Sequence, residues 1–281
     1  MATVEAREDE MRIRRQARRG LAALDLRELW QRRDLLLILA ARDVKVRYQQ
    51  TLLGVTWAVL QPALTLAVFA IFFGRLARVP SDGMPYPLFV LCALVPWQLF
   101  SFALTQSSNS LVDSAHMITK VAFPRILVPL ASVGAGLVDF LVALALLGLL
   151  LTFYGVLPGL RALALIPLTA LTLLSALGAG LWLTALNALY RDVRYTIPFL
   201  AQFWLLATPV AYPSSLVPEA WRPLYGLNPM AGVVEGFRWA LLGHSTAPGQ
   251  MLALSVLVSA LLLTGGVIFF RRVDRTLADV V

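Results

Sequence analysis

A chain of 281 residues that is 59% hydrophobic and only 14% charged is too apolar for an ordinary water-soluble domain and points to an integral membrane protein. Its formal charge of +8 is concentrated, since 12 of the 24 Lys and Arg residues precede Thr51, and such a block suits anionic lipid better than nucleic acid. One cysteine, Cys92, lies inside an apolar run and excludes both an intrachain disulfide and a cysteine metal site.

Residues 1–23 read as a polar leader, too charged for a signal peptide, so the N-terminus is expected to be kept. Residues 24–50 read as a cytoplasmic amphipathic interface helix. Leu26, Leu29, Trp30, Leu37, Ala40 and Val44 share one side at helical spacing, and Arg27, Glu28, Gln31, Arg32, Asp34, Arg42 and Asp43 fall elsewhere. The apolar middle, Leu35 to Ala41, is far shorter than the about 20 residues a crossing needs, so it should lie half in lipid and half under protein.

Residues 51–281 form one transmembrane domain with six apolar runs, at about 52–73, 86–104, 126–154, 162–189, 196–212 and 251–270. Each nears the length that crosses a core of about 30 Å, the fifth at the short limit. In lipid only a helix satisfies its own backbone without a closed barrel, so the expectation is all-α with six transmembrane helices. Small pairs such as Ser132/Gly136 and Ala176/Gly180 suit close helix contact without specifying the partner. With both termini on one side, that side receives 19 Lys and Arg, including Lys120, Arg125, Arg191, Arg194 and Arg271, against five on the other, Arg75, Arg78, Arg161, Arg222 and Arg238. The positive-inside tendency then makes both termini cytoplasmic.

Between the second and third runs, Asn109 to Leu130 carries the only interior lysine, Lys120. It reads as a short amphipathic helix over 109–122, a break at Phe123-Pro124, and a new helix from Arg125, because proline disfavours helix in the residue before it and suits a first turn. On pattern alone this is either an ordinary basic loop or a docking element. The turn Tyr190-Arg191-Asp192-Val193-Arg194 is open in the same way, as an anchor or a contact.

Asp139 sits mid-run and should bond a neighbouring helix or line a pathway, a proton relay being the other reading. Residues 213–242 hold four prolines and no spanning run, and fit either two short helices re-entering the bilayer or a plain loop. Within them Glu235 and Arg238, three apart, should pair on one helix face. Aromatics Phe69, Phe72, Phe73, Trp97, Phe100, Trp204, Tyr212 and Trp221 are either belt residues or a channel lining.

Neither lysine, Lys45 nor Lys120, stands in a G-x-x-x-x-G-K-[ST] phosphate loop, and no G-x-S-x-G or H-E-x-x-H occurs. No enzyme chemistry, cofactor or metal is expected in this chain. The segments LVDSAHMITKVAFPRILVPLA, ALYRDVRYTIPFLAQFWLLATPVAYP and NPMAGVVEGFRWALLG resemble, in order and spacing, the permease subunits of ABC-2-type polysaccharide exporters of the O-antigen, capsule and teichoic-acid class.

The resemblance implies that 109–122 is a coupling helix docking on a separate ATPase through Ser114, His116, Met117, Lys120, Phe123, Pro124 and Arg125. It also implies that Tyr190, Arg191, Asp192 and Arg194 form a second ATPase contact or a cytoplasmic gate, and that 213–242 is re-entrant. The implied partners are a second copy of the chain, two ATPase subunits that use ATP and Mg, membrane lipid and a lipid-linked polysaccharide, in the cytoplasmic (inner) membrane. Export of teichoic acid, capsule, a small lipid or a drug, a proton-coupled carrier, and a scaffold without transport are the alternatives.

Overall fold

The computed structural model describes residues 30–49, 56–115, 117, 123–243 and 247–280. The chain divides into two units, Met1–Arg32 and Arg33–Val281, and the fold below is that of the second. The polar leader and the start of the expected interface helix lie outside the described residues.

Every regular element among the described residues is helical. α1 is Arg33–Gln49, and α2, Thr56–Phe69, runs into a π-helical stretch, Ala70–Leu76. α3 is Tyr86–Asp113, α4 Leu127–Ser132, α5 Gly134–Phe153 and α6 Leu165–Leu189, the last entered through a 3₁₀ turn at Leu160–Ala164. α7 is Val193–Ala207, α8 Arg222–Tyr225, α9 Pro229–Leu242 and α10 Gly249–Val280.

The bundle is built around α3, which touches α2, α4, α5, α6, α7 and α9. Apolar around its whole circumference from Leu88 to Trp97, it has no polar face there to turn outward, and most of its residues from Leu88 to Leu111 are buried. Predicted to end at 104, it runs on to Asp113, because Ser107, Ser108 and Ser110 return their hydroxyls to carbonyls one turn back and add no unsatisfied polar group. Residues 109–113 therefore belong to this helix rather than opening a separate one.

The third predicted run is two helices, α4 and α5, joined at Val133. α6 and α10 cross closely because Gly178 leaves room for the backbone of Leu262 and Leu263, where a Cβ would stand 2.8 Å from the Leu263 nitrogen. The hydroxyls of Ser175 and Ser259 join the same two helices at 2.7 Å. The small residues Gly136 and Gly180 pack on Phe102 and Ser107 of α3, so these faces serve contacts within the chain.

Among the described residues five helices are long and apolar enough to cross a membrane, Thr56–Leu76, Tyr86–Asp113, Leu127–Phe153, Leu160–Leu189 and Gly249–Arg275. The fifth predicted run instead gives α7, of 15 residues, which stops because Thr208 precedes Pro209 and turns extended at φ −100, ψ 142. The chain nonetheless travels the length of α3 here. Arg194 pairs with Asp113 at 3.2 Å, and the Ala211 carbonyl accepts from the Tyr86 hydroxyl at 2.9 Å, at opposite ends of α3.

Beyond it, α9 is capped by Asn228, whose side chain accepts from Met230 N, and ended by Gly243 at φ +69. All of α9 but Trp239 is buried, against α3, α6 and α10.

Candidate functional site

The predicted residues fall at the two ends of the bundle. At the Asp113 end, the turn after α6 and the turn after α3 are joined: Arg194 pairs with Asp113, and Asn187 donates to the Ser108 carbonyl at 3.0 Å and to Asn109 Oδ1 at 3.1 Å. The Tyr190–Arg194 turn thus meets the C-terminal end of α3. Met117 Sδ lies 3.2 Å from Arg42 Nη1 of α1, and Arg125 pairs with Asp274 of α10 at 3.2 Å.

Phe123 and Pro124 form the bend before α4, and the Pro124 carbonyl takes the Leu127 amide at 3.0 Å, so the helix starts two residues later than expected. Ser114 ends α3, while His116 and Lys120 lie outside the described residues. Tyr190 and Arg191 are exposed, as a surface for a partner must be, and Asp192 opens α7.

α1 is fixed to the bundle by a polar lock the sequence reading left half-stated. Arg47 Nη2 meets Asp139 Oδ2 of α5 at 2.7 Å, the Tyr48 hydroxyl donates to Asp139 Oδ1, and the Arg47 guanidinium lies 4.5 Å from the centre of the Phe102 ring. Burial, then the bond to Asp139, pushes the Tyr48 hydroxyl up to about 12. The face turned to protein carries Leu39, Ala40, Asp43, Val44, Arg47 and Tyr48, while Leu37 and Ile38 are exposed. Leu37 therefore lies opposite the side assigned to it, because a helix apolar all round in its middle does not fix which stripe meets protein.

At the Tyr86 end, Arg238 Nη1 and Glu235 Oε1 meet at 2.9 Å, both buried. The guanidinium also donates to the Val210 carbonyl at 3.0 Å and lies 3.5 Å from the centre of the Phe89 ring. The pair staples α9 to α3 and to the extended stretch after α7, and closes the floor of a polar cavity of about 520 Å³ whose rim holds Asp82, Glu219 and Arg222. Ser215 donates to Asp82 at 2.8 Å and so ties the 214–222 loop to the turn before α3.

Residues 34–242 match the family model described as ABC-2 type transporter. The chain belongs to that family. This ABC-2 permease is 31% identical to the O-antigen export system permease protein RfbA of Myxococcus xanthus over 85% of the chain and 92% of that protein. It is 27% identical to RfbA of Klebsiella pneumoniae over 88% and 95%, and 22% identical to the polysialic acid transport protein KpsM of Escherichia coli over 84% and 92%.

Within the permease the eight candidate channel aromatics separate. Trp97 and Phe100 are core residues, 5% and 0% exposed, with Phe100 meeting Trp204 edge-on at 4.9 Å. They sit on the helix that six others touch, so their faces are taken by the chain itself. Trp204 and Tyr212 hold the stretch after α7 through Asn228 and Tyr225. Phe69 stacks on Phe73, and only Phe72 and Trp221 are free at the surface, 57% and 62% exposed.

The sequence reading missed Phe199 and Phe203, which with Tyr195 and Leu206 form an exposed stripe along α7. Their spacing of about one helical turn is the signal that would have found them.

Proposed function

We propose that this chain is the membrane-spanning subunit of an ATP-driven exporter that moves a lipid-linked polysaccharide across the cytoplasmic membrane as a homodimer with two separate ATPase subunits. The observation that carries this reading is kinship over nearly the whole length with permeases named for O-antigen export. ATP and Mg belong to the partner, since the sequence has no phosphate loop. The Asp113 end gathers α1, Arg125, Arg191, Arg194, Arg271 and Arg272, and this excess of positive charge supports a cytoplasmic placement. The run of 193–211 along α3 supports a sixth crossing, and the return of α9 to the bundle supports a re-entrant segment.

In this reading the ATPase docks on 114–125 and on the Tyr190–Arg194 turn, which Asp113 and Arg194 bind into one body. Movement passes through the bend at Phe123-Pro124 to α4, because a ligand biases a channel only through an element whose position differs between states. The stripes on the π-helical stretch after α2 and on α7 that are exposed among the described residues, Phe72 with Ile71 and Phe199 with Phe203, are the surfaces for the second copy and the glycan path. The lone mid-span acid Asp139 is engaged by Arg47 and Tyr48, which weighs against a proton carrier.

Deletion of the chain in its host tests the reading. Surface polysaccharide should disappear while the lipid-linked polymer accumulates on the cytoplasmic side, and the wild-type chain should restore export. Unchanged surface polysaccharide would refute it.

A further inference from the structure

A second, chemically different cavity lies on the outside of the bundle, between α6, α9 and α10. It has a volume of about 420 Å³ and walls made by Leu168, Leu171, Leu174, Trp239, Leu252 and Val256. From Ala164 at its mouth to Leu174 at its foot it follows ten residues of chain, mostly α6. At about 1.5 Å per residue this is about 15 Å, the depth of one leaflet of a hydrocarbon core.

The mouth is marked by a cation. Arg161, exposed in the 3₁₀ turn before α6, holds its guanidinium 5.6 Å from the centre of the Trp239 ring, and Trp239 lines the groove. Leu157, Leu160, Leu163 and Ile166 are exposed around it, so this rim sits against lipid. A guanidinium stacked on an aromatic face keeps its N–H edge for an anion, and its fork matches two phosphate oxygens.

We propose that this groove is a site for one anionic phospholipid, phosphatidylglycerol, with an acyl chain between α6, α9 and α10 and its phosphate on Arg161. The bound chain lies along the groove that Gly236 and Trp239 of α9 line together with Leu168 and Leu171 of α6, and so braces α9 against α6. The site goes beyond the transport reading and holds whichever substrate is carried, because it rests on the groove and its cation alone.

The test uses the full-length chain in phosphatidylcholine nanodiscs with a small fraction of phosphatidylglycerol bearing a photoreactive group mid-chain, followed by peptide mapping. Labelling should concentrate on 164–174 and 252–256 over Leu141 and Leu149 of α5, which are more exposed than the groove's Leu168, Leu171, Leu174 and Val256. It should fall by about tenfold in R161A, the loss of one phosphate contact. It should also fall in A170F, which fills the groove from an exposed position, and in L174W as a second filler should A170F fold poorly. Labelling spread evenly over α5 and α6, or unchanged in R161A and a folded filler variant, would overturn the site. Equal labelling by the phosphatidylcholine analogue would overturn the assignment to an anionic lipid.

Discussion

At residue scale the permease hides few polar groups and joins them in pairs. Arg238 has three acceptors or ring contacts besides Glu235, so Arg238→Ala strands a buried carboxylate and frees the Val210 carbonyl. That should destabilise the fold by about 3–5 kcal/mol, read as a lower Tm in detergent, with the double variant E235Q/R238M recovering part of the loss. The Tyr48–Asp139 bond gives an alkaline signature. Because the hydroxyl is raised in the fold to about 12 from an ordinary 10.0, its contribution is complete below about pH 10 and is lost as pH rises toward 12. A spin label at the exposed Val46 should gain mobility over that window in the wild type, and Tyr48→Phe should flatten the step.

At the scale of elements, the contact of α6 with α10 depends on Gly178. Gly178→Val should cost about 1–3 kcal/mol by forcing the helices apart, whereas Gly148→Ala, with open space at its Cβ, should leave Tm unchanged. Where the helices lie was legible because a run of apolar residues long enough to cross lipid has few other uses. Which face meets protein was not: lipid and core favour the same residues, so Trp97 and Phe100 on the enclosed α3 read like aromatics near a channel. The end of α7 was written in Thr208-Pro209 by the rule already used at Phe123-Pro124, and was missed because Leu205 to Tyr212 continues the hydropathy. The partner of Asp139 lies 92 residues away in sequence, and no local pattern names it.

The bend at Phe123-Pro124 is the element through which the proposed coupling runs. Pro124→Gly and Lys120→Glu should abolish export while the chain still inserts and dimerises, and cysteines at Ser114 and Met117 should crosslink to the ATPase. If cysteines along 114–122 never crosslink while one in α1 does, the coupling contact belongs to α1.

At the scale of the whole molecule, the two ends differ in charge and chemistry: one is basic and tied by ion pairs from α1 to α10, the other holds a polar cavity under the 214–222 loop. The proposed six crossings with cytoplasmic termini would put Ser81 and Glu219 outside and Arg191 within. Cysteines at 81 and 219 should react with an impermeant reagent in intact cells and one at 191 only after lysis, and external labelling at 191 would invert or break this topology.

The measurement closest to the central claim is transport in proteoliposomes holding the chain, its ATPase and a radiolabelled lipid-linked polysaccharide. Upon addition of ATP and Mg to the ATPase side, labelled glycan should become protected on the opposite side, and a hydrolysis-dead ATPase or a Pro124→Gly permease should give none. Glycan that stays on the side of addition while ATP is consumed, or that crosses equally without ATP, would contradict the account.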